Sequence, residues 1–449
     1  MLEILVPGSL TSTCLVGVVA GLIVYWALQK WKYKYPPGPP GLPLIGNALQ
    51  IDQSRLHEQA FEWSKKYGPA ITVGVGPIPF VFVNTIDTAM EVLVKRSTDF
   101  AGRMLTHSLD TFTYGGKDIA FSSYGPTWKL QRRIASKALR YSFKDKEVNY
   151  MLEKKDFLAE SLGIGTWEDF IPGLKYLYKT NAFKVVEGFV RDVHDGYITN
   201  KLREAKRTFE KDNVRHFTDT LILARTEAVE EEGAATLKSL TDEHLVQTIS
   251  DIFFAGIDTS RFTLKAAILH MVAFPDIQDK VQDELDRVVG KDRLPGIIDR
   301  PNLSYTEAVL HECMRLGTVA PLGAQHKTIC DTEVAGYRIP KGTTVAINHW
   351  ALHHDPDAWE EVDRFIPERY LDSKGKLGPK PNNWLPFSAG KRVCLGEFVA
   401  KPELHLIFAC LMQRYKWKMV SGKCPDLTQV GGINGLDYKP YKVVVEKRI

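Results

Sequence analysis

The sequence predicts a mainly helical protein with a small β part, and three observations support that class. Helix-period apolar patterns fill most of the chain after residue 43. Short strand-like runs are confined to an early block and a late block. The chain has 449 residues, of which 44% are apolar and 25% charged, and this composition excludes disordered, collagen-like and multi-span membrane proteins.

Charge and cysteine content exclude further classes. The net charge is +4, from 58 basic and 54 acidic residues, and no basic run is long enough to indicate a nucleic-acid-binding tract. The six cysteines are too sparse for a disulfide framework, and none shows the CxxC-type spacing of a structural zinc site. We therefore expect a globular protein that does not bind nucleic acid.

The first predicted domain, residues 1–35, is a membrane anchor. No charged side chain occurs between Ile4 and Gln29, and Leu10–Leu28 would span about 28 Å as a helix, close to the hydrocarbon thickness of a bilayer. Three lysines follow the apolar run, whereas Glu3 is the only charged side chain before it. This asymmetry opposes a cleaved signal peptide and predicts a single-pass anchor with the body of the protein in the cytoplasm.

A proline-rich tether, residues 36–43, joins the anchor to the third domain, residues 44–449. Proline fixes φ and lacks an N–H donor, so neither a helix nor a sheet continues through the tether. Ser304 and Glu307 have the spacing of a helix capping box. The predicted strands are Ala70–Val75, Phe80–Val83, Glu333–Ile339, Thr344–Ile347 and Lys442–Glu446. The predicted helices are Asp87–Lys95, Thr127–Leu139, Asn181–Glu210, Thr241–Phe274, Asp276–Val289 and Ser304–Leu316.

The segment Phe387–Gly396 carries the most specific chemistry. Its single cysteine, Cys394, lies between two glycines, with Arg392 two residues before it and a helical pattern after it. Glycines let the backbone approach a flat ligand. A cysteine near a helix N-terminus and beside an arginine should have a lowered pKa, and a thiolate is a strong axial ligand for haem iron. Considered in isolation, Cys394 is better explained as a partly buried, inert thiol in a glycine-rich loop.

The pattern FxxGxRxCxG in this segment resembles the haem-ligand loop of the cytochrome P450 monooxygenases. Four other segments resemble motifs of that family and occur in the family's order. They are Trp128 with Arg132 (WxxxR), Ala255–Thr259 (the oxygen-binding part of the long central helix), Glu312–Arg315 (ExxR) and Phe365–Tyr370 (PERF). The anchor and tether resemble those of microsomal members, and the framework is most similar to the animal group that contains steroid 17α-hydroxylases and aryl-hydrocarbon hydroxylases.

The resemblance implies the cytochrome P450 fold with a haem b whose iron is bound by Cys394. It also implies which residues surround the haem, namely Arg392, Phe387, Trp128, Arg132, His326, Arg103, Ala255 and Gly256. Asp258 and Thr259 would then supply protons during the reaction.

A structural brace is the role implied for Glu312, Arg315 and Arg369, since one carboxylate can accept hydrogen bonds from two guanidinium groups.

The implied activity is the insertion of one oxygen atom from O₂ into an apolar, steroid-like molecule at the endoplasmic reticulum membrane. Electrons would come from NADPH–cytochrome reductase, with cytochrome b5 as a further candidate partner. The alternatives are a xenobiotic or aryl-hydrocarbon monooxygenase, a haem-binding protein without turnover, and a Cys–His hydrolase, which leaves the other motifs unexplained. The segments expected to line the pocket are Thr106–Thr113, 150–160, Ala255–Thr259, Val319–Leu322 and Gly431–Leu436.

One departure from the family pattern concerns length. Only Met151–Thr166 occupies the place where two further helices are expected, so roughly 50 residues are missing after the third helix. Losing about ten buried side chains would cost about 15–30 kcal/mol, more than the usual net stability of about 5–15 kcal/mol. We therefore hypothesise a splice variant or a defective gene model, or else a partner that covers the exposed face.

Overall fold

The computed structural model describes residues 34–139 except 44, residues 178–448 except 433 and 434, and the isolated residues 16, 17, 20, 21, 24, 169 and 176. The mainly helical class is confirmed. Apart from a few positions, the predicted anchor and the shortened region after residue 150 lie outside the described residues. In the described part of the chain, no helix has both the length and the apolar character needed to cross a bilayer.

The principal sheet combines early and late strands in the order β1-β2-β7-β4-β3. β1 and β2 are antiparallel, β2 and β7 are parallel, and β4 is antiparallel to both β7 and β3. Val81 of β2 pairs with Val345 of β7, and both are fully buried. This sheet therefore joins an early and a late part of the chain in one core. The strands are β1 Ala70–Val75, β2 Ile78–Val83, β3 Gly102–Arg103, β4 His326–Lys327, β5 Thr332–Val334, β6 Tyr337–Ile339, β7 Thr344–Ile347, β8 Tyr415–Met419, β9 Gln429–Gly432, β10 Gly435–Tyr438 and β11 Val443–Lys447.

The other strands form two-stranded units. The predicted single strand Glu333–Ile339 is a hairpin of β5 and β6, because Ala335 and Gly336 both have positive φ (50° and 79°) and turn the chain between them. β9 pairs with β10, and β8 pairs with β11.

The helices follow the sequence pattern with two interruptions. The prediction for Asn181–Glu210 is one helix, but a π-helical stretch, Val190–Ile198, divides it. A second π-helical stretch, Glu91–Lys95, continues the helix that begins at Ile86. The α-helices are α1 Leu56–Tyr67, α2 Ile86–Met90, α3 His107–Phe112, α4 Pro126–Ala138, α5 Asn181–Phe189, α6 Thr199–Arg207, α7 Phe217–Glu232, α8 Ala235–Ser239, α9 Asp242–Ala273, α10 Pro275–Val288, α11 Ser304–Gly317, α12 His349–His353 and α13 Glu397–Arg414.

The long helix α9 connects two hydrophobic cores. In its N-terminal half, Leu245 and Val246 are buried against α4, α5 and α7. In its C-terminal half, Ala267 and Met271 are buried against α10, α11 and α13. The middle of α9 lies between these cores, and this is the part that contains Ala255–Thr259.

The N-terminus of α11 is capped from another helix. α11 begins at Ser304, and the N–H groups of the next two residues donate to the carboxylate of Glu284 on α10, at 2.9 and 2.8 Å. The predicted capping box is therefore wrong. Glu307 instead forms a buried pair with Arg300, which removes its carboxylate from the helix end.

A buried carboxylate on α11 organises the segments around it. Glu312 and Arg315 are fully buried, and Nε and Nη2 of Arg315 donate to the two carboxylate oxygens at 2.8 Å each. Nε of Arg369 and the hydroxyl of Tyr370 also donate to this carboxylate, at 3.1 and 3.2 Å. Arg315 Nη1 donates to the carbonyl of His353 at 2.8 Å. The three residues predicted to form a brace thus lie in one network.

We expect Arg315→Met to destabilise the fold by about 3–5 kcal/mol, because it leaves the Glu312 carboxylate buried without its main partner. The matched control is Lys65→Met on α1. It breaks the Glu62–Lys65 ion pair, in which the acid also precedes the base by three residues. The side chains of Glu62 and Lys65 are 64% and 55% exposed. The control should lose less than about 1 kcal/mol. Denaturant unfolding of the two variants measures the difference, and equal losses would contradict a bracing role.

Candidate functional site

The segment Phe387–Gly396 folds into a closed turn before α13, which we call the thiol turn. The N–H of Cys394 donates to the carbonyl of Phe387 at 2.9 Å. Gly390 has φ +70°, and a Cβ at this position would lie 1.7 Å from the carbonyl oxygen of Leu93. Only glycine fits there, because the turn packs directly against the backbone of the π-helical stretch Glu91–Lys95.

The thiol of Cys394 is accessible to solvent and lies at the start of α13. The N–H groups of Gly396 and Glu397 donate to its sulfur, and the charge of Arg132 also favours the thiolate. Although Cys394 is an exposed residue, the protein packed around its sulfur removes much of the hydration of a thiolate, and this larger effect raises the pKa of Cys394 above its ordinary value. The lowered pKa expected from the sequence is therefore wrong, because that expectation did not include desolvation by the surrounding protein.

Arg392 does not lie where the sequence placed it, beside the thiol. Its guanidinium is buried and donates to the carbonyls of Ala101 and Ser122, at 2.8 Å from Nε and 2.7 Å from Nη2. It also stacks on Trp128, with 4.2 Å between the guanidinium carbon and the ring centroid. The indole N–H of Trp128 donates to the carbonyl of Ile119 at 2.9 Å.

Arg132 binds the thiol turn from α4. Its Nη2 donates to the carbonyl of Val393 at 2.6 Å, so α4 is tied to the residue that precedes Cys394. Burial lowers the pKa of Arg132, and the nearby Cys394 opposes that change.

Arg103 and His326 are adjacent residues on β3 and β4. Arg103 donates to the carbonyls of Ala120 and Ala324 at 3.0 and 2.7 Å, and burial together with Arg392 lowers its pKa to about 9. Burial lowers the pKa of His326 well below its ordinary value, so the ring is neutral. Its Nδ1 lies 2.9 Å from a carbonyl oxygen, which only accepts, so Nδ1 carries the hydrogen and Nε2 has a lone pair. In that form His326 does not donate to a carboxylate through Nε2.

The middle of α9 presents small, accessible residues. Ala255, Gly256 and Thr259 are exposed, and a Cβ added to Gly256 would meet no atom within 4 Å. The Thr259 hydroxyl donates to the carbonyl of Ala255 at 2.7 Å. Asp258 pairs with Arg261 at 3.2 Å. The predicted acid and hydroxyl are thus neighbours along an open helix face, and Asp258 is held by an arginine.

The segments expected to line a pocket converge on α9. The N–H of Leu436 donates to the carbonyl of Val319 at 2.9 Å, which brings two of those segments together. Phe112 and Phe254 both contact the ring of Phe189, with centroids 5.8 and 5.2 Å apart. This side of α9 is therefore aromatic and apolar. The stretch 150–160 lies outside the described residues.

The sequence did not indicate a role for residues 118–122, which we call the donor loop because side-chain hydrogen-bond donors converge on it. Their carbonyls accept hydrogen bonds from Trp128, Arg392 and Arg103. Within the described chain, Asp118 Oδ1 and Ser122 Oγ are buried without a hydrogen-bond partner. Asp251 binds this loop through the N–H of Ile119. An acidic residue within an apolar helical run could have drawn attention to Asp251. Its partner lies 132 positions away along the chain, however, and a sequence does not show that pairing.

The donor set fits a haem and not a bare metal ion. In the described part of the chain, no group of three or more His, Cys, Asp or Glu side chains is arranged to hold an ion. A haem needs one axial ligand and donors for two carboxylates. The exposed Cys394, the buried Arg103 and Arg392, the unpartnered Ser122 hydroxyl and the open face at Gly256 meet those needs.

Comparison with known proteins gives consistent matches along most of the chain. The family model "Cytochrome P450" matches residues 36–163 and 165–445. A steroid 17-alpha-hydroxylase/17,20 lyase of Gallus gallus is 32% identical over 461 positions, which cover 88% of this chain and 90% of that protein. Cytochrome P450 1A1 of Chelon auratus is 30% identical over 494 positions, covering 94% of each.

A third relative shows where the lengths differ. A steroid 17-alpha-hydroxylase/17,20 lyase of Capra hircus is 31% identical over 497 positions, covering 97% of each protein. Since the chain has 449 residues, this alignment contains gaps in it. The family match is interrupted at residue 164, within the region that the sequence analysis found too short.

We expect Gly390→Ala to displace the thiol turn, because the added methyl would collide with the Leu93 carbonyl. Gly375→Ala is the matched control, since its φ is +69° and a Cβ there meets nothing within 4 Å. The control should lose only about 1–2 kcal/mol, the cost of the left-handed conformation, and should bind haem like the parent. Gly390→Ala should lose more stability and take up less haem. Denaturant unfolding and haem content measure both effects, and equal behaviour of the two variants would contradict the close approach.

Proposed function

Because this chain belongs to the cytochrome P450 family, whose members are haem b-dependent monooxygenases, we propose that it hydroxylates an apolar, steroid-like molecule. The observation that carries the proposal is the thiol turn. It presents Cys394 as an exposed residue just before α13, and Arg132 of α4 is tied to the residue that precedes it.

Cys394 is the proposed axial ligand. When bound, the haem activates O₂ for insertion of one oxygen atom into the substrate, and a thiolate ligand favours cleavage of the O–O bond. Metal coordination deprotonates a thiol, so the raised pKa of Cys394 does not oppose this role. Phe387 closes the turn around Cys394, and Arg132 fixes the residue that precedes it.

Arg392, Trp128 and Arg103 are proposed to hold the haem carboxylates. All three donate to backbone carbonyls. The two arginines keep further N–H groups for a ligand, whereas the single indole N–H of Trp128 would have to exchange its bond to the Ile119 carbonyl. Charge-assisted hydrogen bonds from buried guanidinium groups are the strong kind. His326 contributes packing instead of a hydrogen bond in its neutral form.

Thr259 is the proposed proton donor on the open face of α9. Its Oγ1 hydrogen now points to the Ala255 carbonyl, and a rotation about χ1 would release it toward the open space. Asp258 would resupply the proton through water, with its carboxylate held in place by Arg261.

A steroid-like substrate is supported by the relatives and by the apolar side chains in the middle of α9. Two of the similar proteins named above carry the name steroid 17-alpha-hydroxylase/17,20 lyase. In the middle of α9, the partly buried Phe253 and Phe254 add aromatic, apolar surface near the exposed Ala255 and Gly256, which suits an apolar molecule. The similarity to a cytochrome P450 1A1 supports the alternative, a planar aryl hydrocarbon.

The electron source and location form part of the same proposal. A monooxygenase needs a redox partner, and NADPH–cytochrome reductase is the one that we propose, with cytochrome b5 as a further candidate. Residues 1–35 would anchor the chain in the endoplasmic reticulum membrane with the catalytic domain in the cytoplasm, as the lysines after the apolar run indicate.

The shortened region favours a second candidate, a haem-binding protein without turnover. The family match is interrupted at residue 164, and the alignment with the Capra hircus protein has gaps in this chain. All the predicted ligand and brace residues are present nevertheless, so haem binding without substrate turnover is a distinct outcome that can be measured.

The first test is the reduced carbon-monoxide difference spectrum of the purified full chain. We expect a thiolate-type red-shifted Soret band, because Cys394 would ligate the iron. Cys394→Ser should lose this band, whereas Cys330→Ser, which removes an exposed thiol elsewhere, should keep it. A band retained by Cys394→Ser would exclude Cys394 as the ligand.

The second test is turnover with reductase and NADPH. We expect progesterone, a steroid without a 17-hydroxyl group, to give a hydroxylated product in preference to a planar aromatic hydrocarbon. Oxidation of the hydrocarbon alone would support the aryl-hydrocarbon alternative. A chain with the thiolate-type spectrum that oxidises neither compound would support haem binding without turnover.

A further inference from the structure

A cavity lies between the turn after α3, the helix α6 and the first turns of α9, and we call it the α6 cavity. Its lining comes from Tyr114, from residues 195–207 and from residues 242–246. Its volume is about 460 Å³, within the range of about 300–1,000 Å³ that small-molecule sites occupy. None of the residues assigned to the haem lines it, so the α6 cavity is separate from the candidate haem site.

The deepest part of the α6 cavity is apolar. Leu202 of α6 and Val246 of α9 both line it, and each is only 2% exposed. The ring of Tyr114 packs against the buried His194, with 5.6 Å between the ring centroids. These three side chains offer a bound molecule an apolar surface.

Tyr114 is held in a conformation that is rare for an aromatic residue. Its φ is +52°, and Gly115 and Gly116 after it also have positive φ. The N–H of Gly115 donates to the carbonyl of Asp110 at 2.8 Å, and the Tyr114 hydroxyl donates to Asp195 across the cavity wall. Backbone strain of this kind persists only where the surroundings fix it, and it is concentrated at ligand sites.

The lining carries three cations and three acids, namely Arg203, Lys206, Arg207, Asp195, Asp242 and Glu243. Two of the acids are also paired with cations from outside the lining. Arg225 pairs with Asp242 at 2.7 Å, and Lys117 pairs with Glu243. One acid, Asp195, then stands against three cations, so the α6 cavity favours an anion.

Two of these cations keep most of their hydrogen-bonding capacity. Arg203 and Arg207 are four residues apart, so they share one face of α6, and both are exposed at the rim. Nη1 of Arg203 donates to the side-chain oxygen of Asn200 at 2.7 Å. In the part of the chain that the structure describes, neither arginine forms an ion pair with an acid.

We propose that the α6 cavity is a second binding site, for an amphipathic anion. The apolar body of the ligand would lie on Leu202, Val246 and the ring of Tyr114. Its headgroup, a sulfate or a carboxylate, would accept hydrogen bonds from Arg203 and Arg207, because guanidinium groups bind such oxyanions in a bidentate manner. A sulfate-conjugated steroid and a fatty acid share this chemistry.

The experiment is equilibrium dialysis of labelled pregnenolone sulfate and labelled palmitate against the purified full chain. Excess progesterone is present to occupy the proposed substrate site. We expect saturable binding of about one anion per chain, weaker at high ionic strength because the rim is exposed to solvent. The double variant Arg203→Gln with Arg207→Gln should bind about tenfold more weakly, because the charge-assisted contacts to the headgroup are lost.

The matched control is Arg287→Gln with Lys374→Gln, which removes two exposed cations outside the α6 cavity and should bind like the parent. A second variant, Thr199→Trp, places an indole in the cavity without a change of charge and should abolish binding. Circular dichroism checks that each variant is folded.

Binding of pregnenolone sulfate alone would support the inference with a steroid conjugate as the ligand. Binding of palmitate alone would support it with a fatty acid. Failure of both anions to bind the parent, or equal weakening in the cavity and control double variants, would overturn the inference. Dialysis does not require haem, so a chain that takes up no haem would contradict the proposed function and leave this test in place.

Discussion

The carboxylate of Glu312 is the interaction on which much of the molecule depends. A buried carboxylate is stable only when all its acceptor sites are filled, and here donors converge from Arg315, Arg369, Tyr370 and the N–H of Ile366. Arg315 extends the network to the carbonyl of His353. The chain between α12 and the thiol turn contains little regular secondary structure. Its first part is therefore fixed mainly by these polar contacts.

The sequence predicted elements well where the pattern was local. β1 and β7 have the bounds that alternation and β-branched residues indicated, and α9 differs by one residue at each end. The predicted elements were wrong where tertiary contacts override the local sequence pattern. The hairpin at Ala335 needs a left-handed alanine, which composition does not indicate. The π-helical stretch Val190–Ile198 keeps an apolar face that resembles an ordinary helix.

The candidate site divides in the same way. The family resemblance assigned Cys394, Arg132 and Trp128 to one site, and Arg132 of α4 does contact the residue before Cys394. The sequence could not indicate the donor loop. This loop accepts hydrogen bonds through its backbone carbonyls, which every residue type has. The expected direction of the Cys394 pKa shift was also wrong, since a neighbouring cation is visible in a sequence and burial is not.

The contact between Gly390 and the Leu93 carbonyl has a consequence for how the protein can change over time. The turn that carries Cys394 approaches backbone and not a side chain at this point, so the exposed Val94 and Lys95 can be exchanged without changing the contact. Insertion or deletion of one residue in Glu91–Lys95 would rotate this π-helical stretch. A different atom would then face Gly390 in place of the Leu93 carbonyl oxygen. The segment is therefore fixed in length, whereas its composition can vary only at the exposed positions, since Val92 and Leu93 are buried in the core.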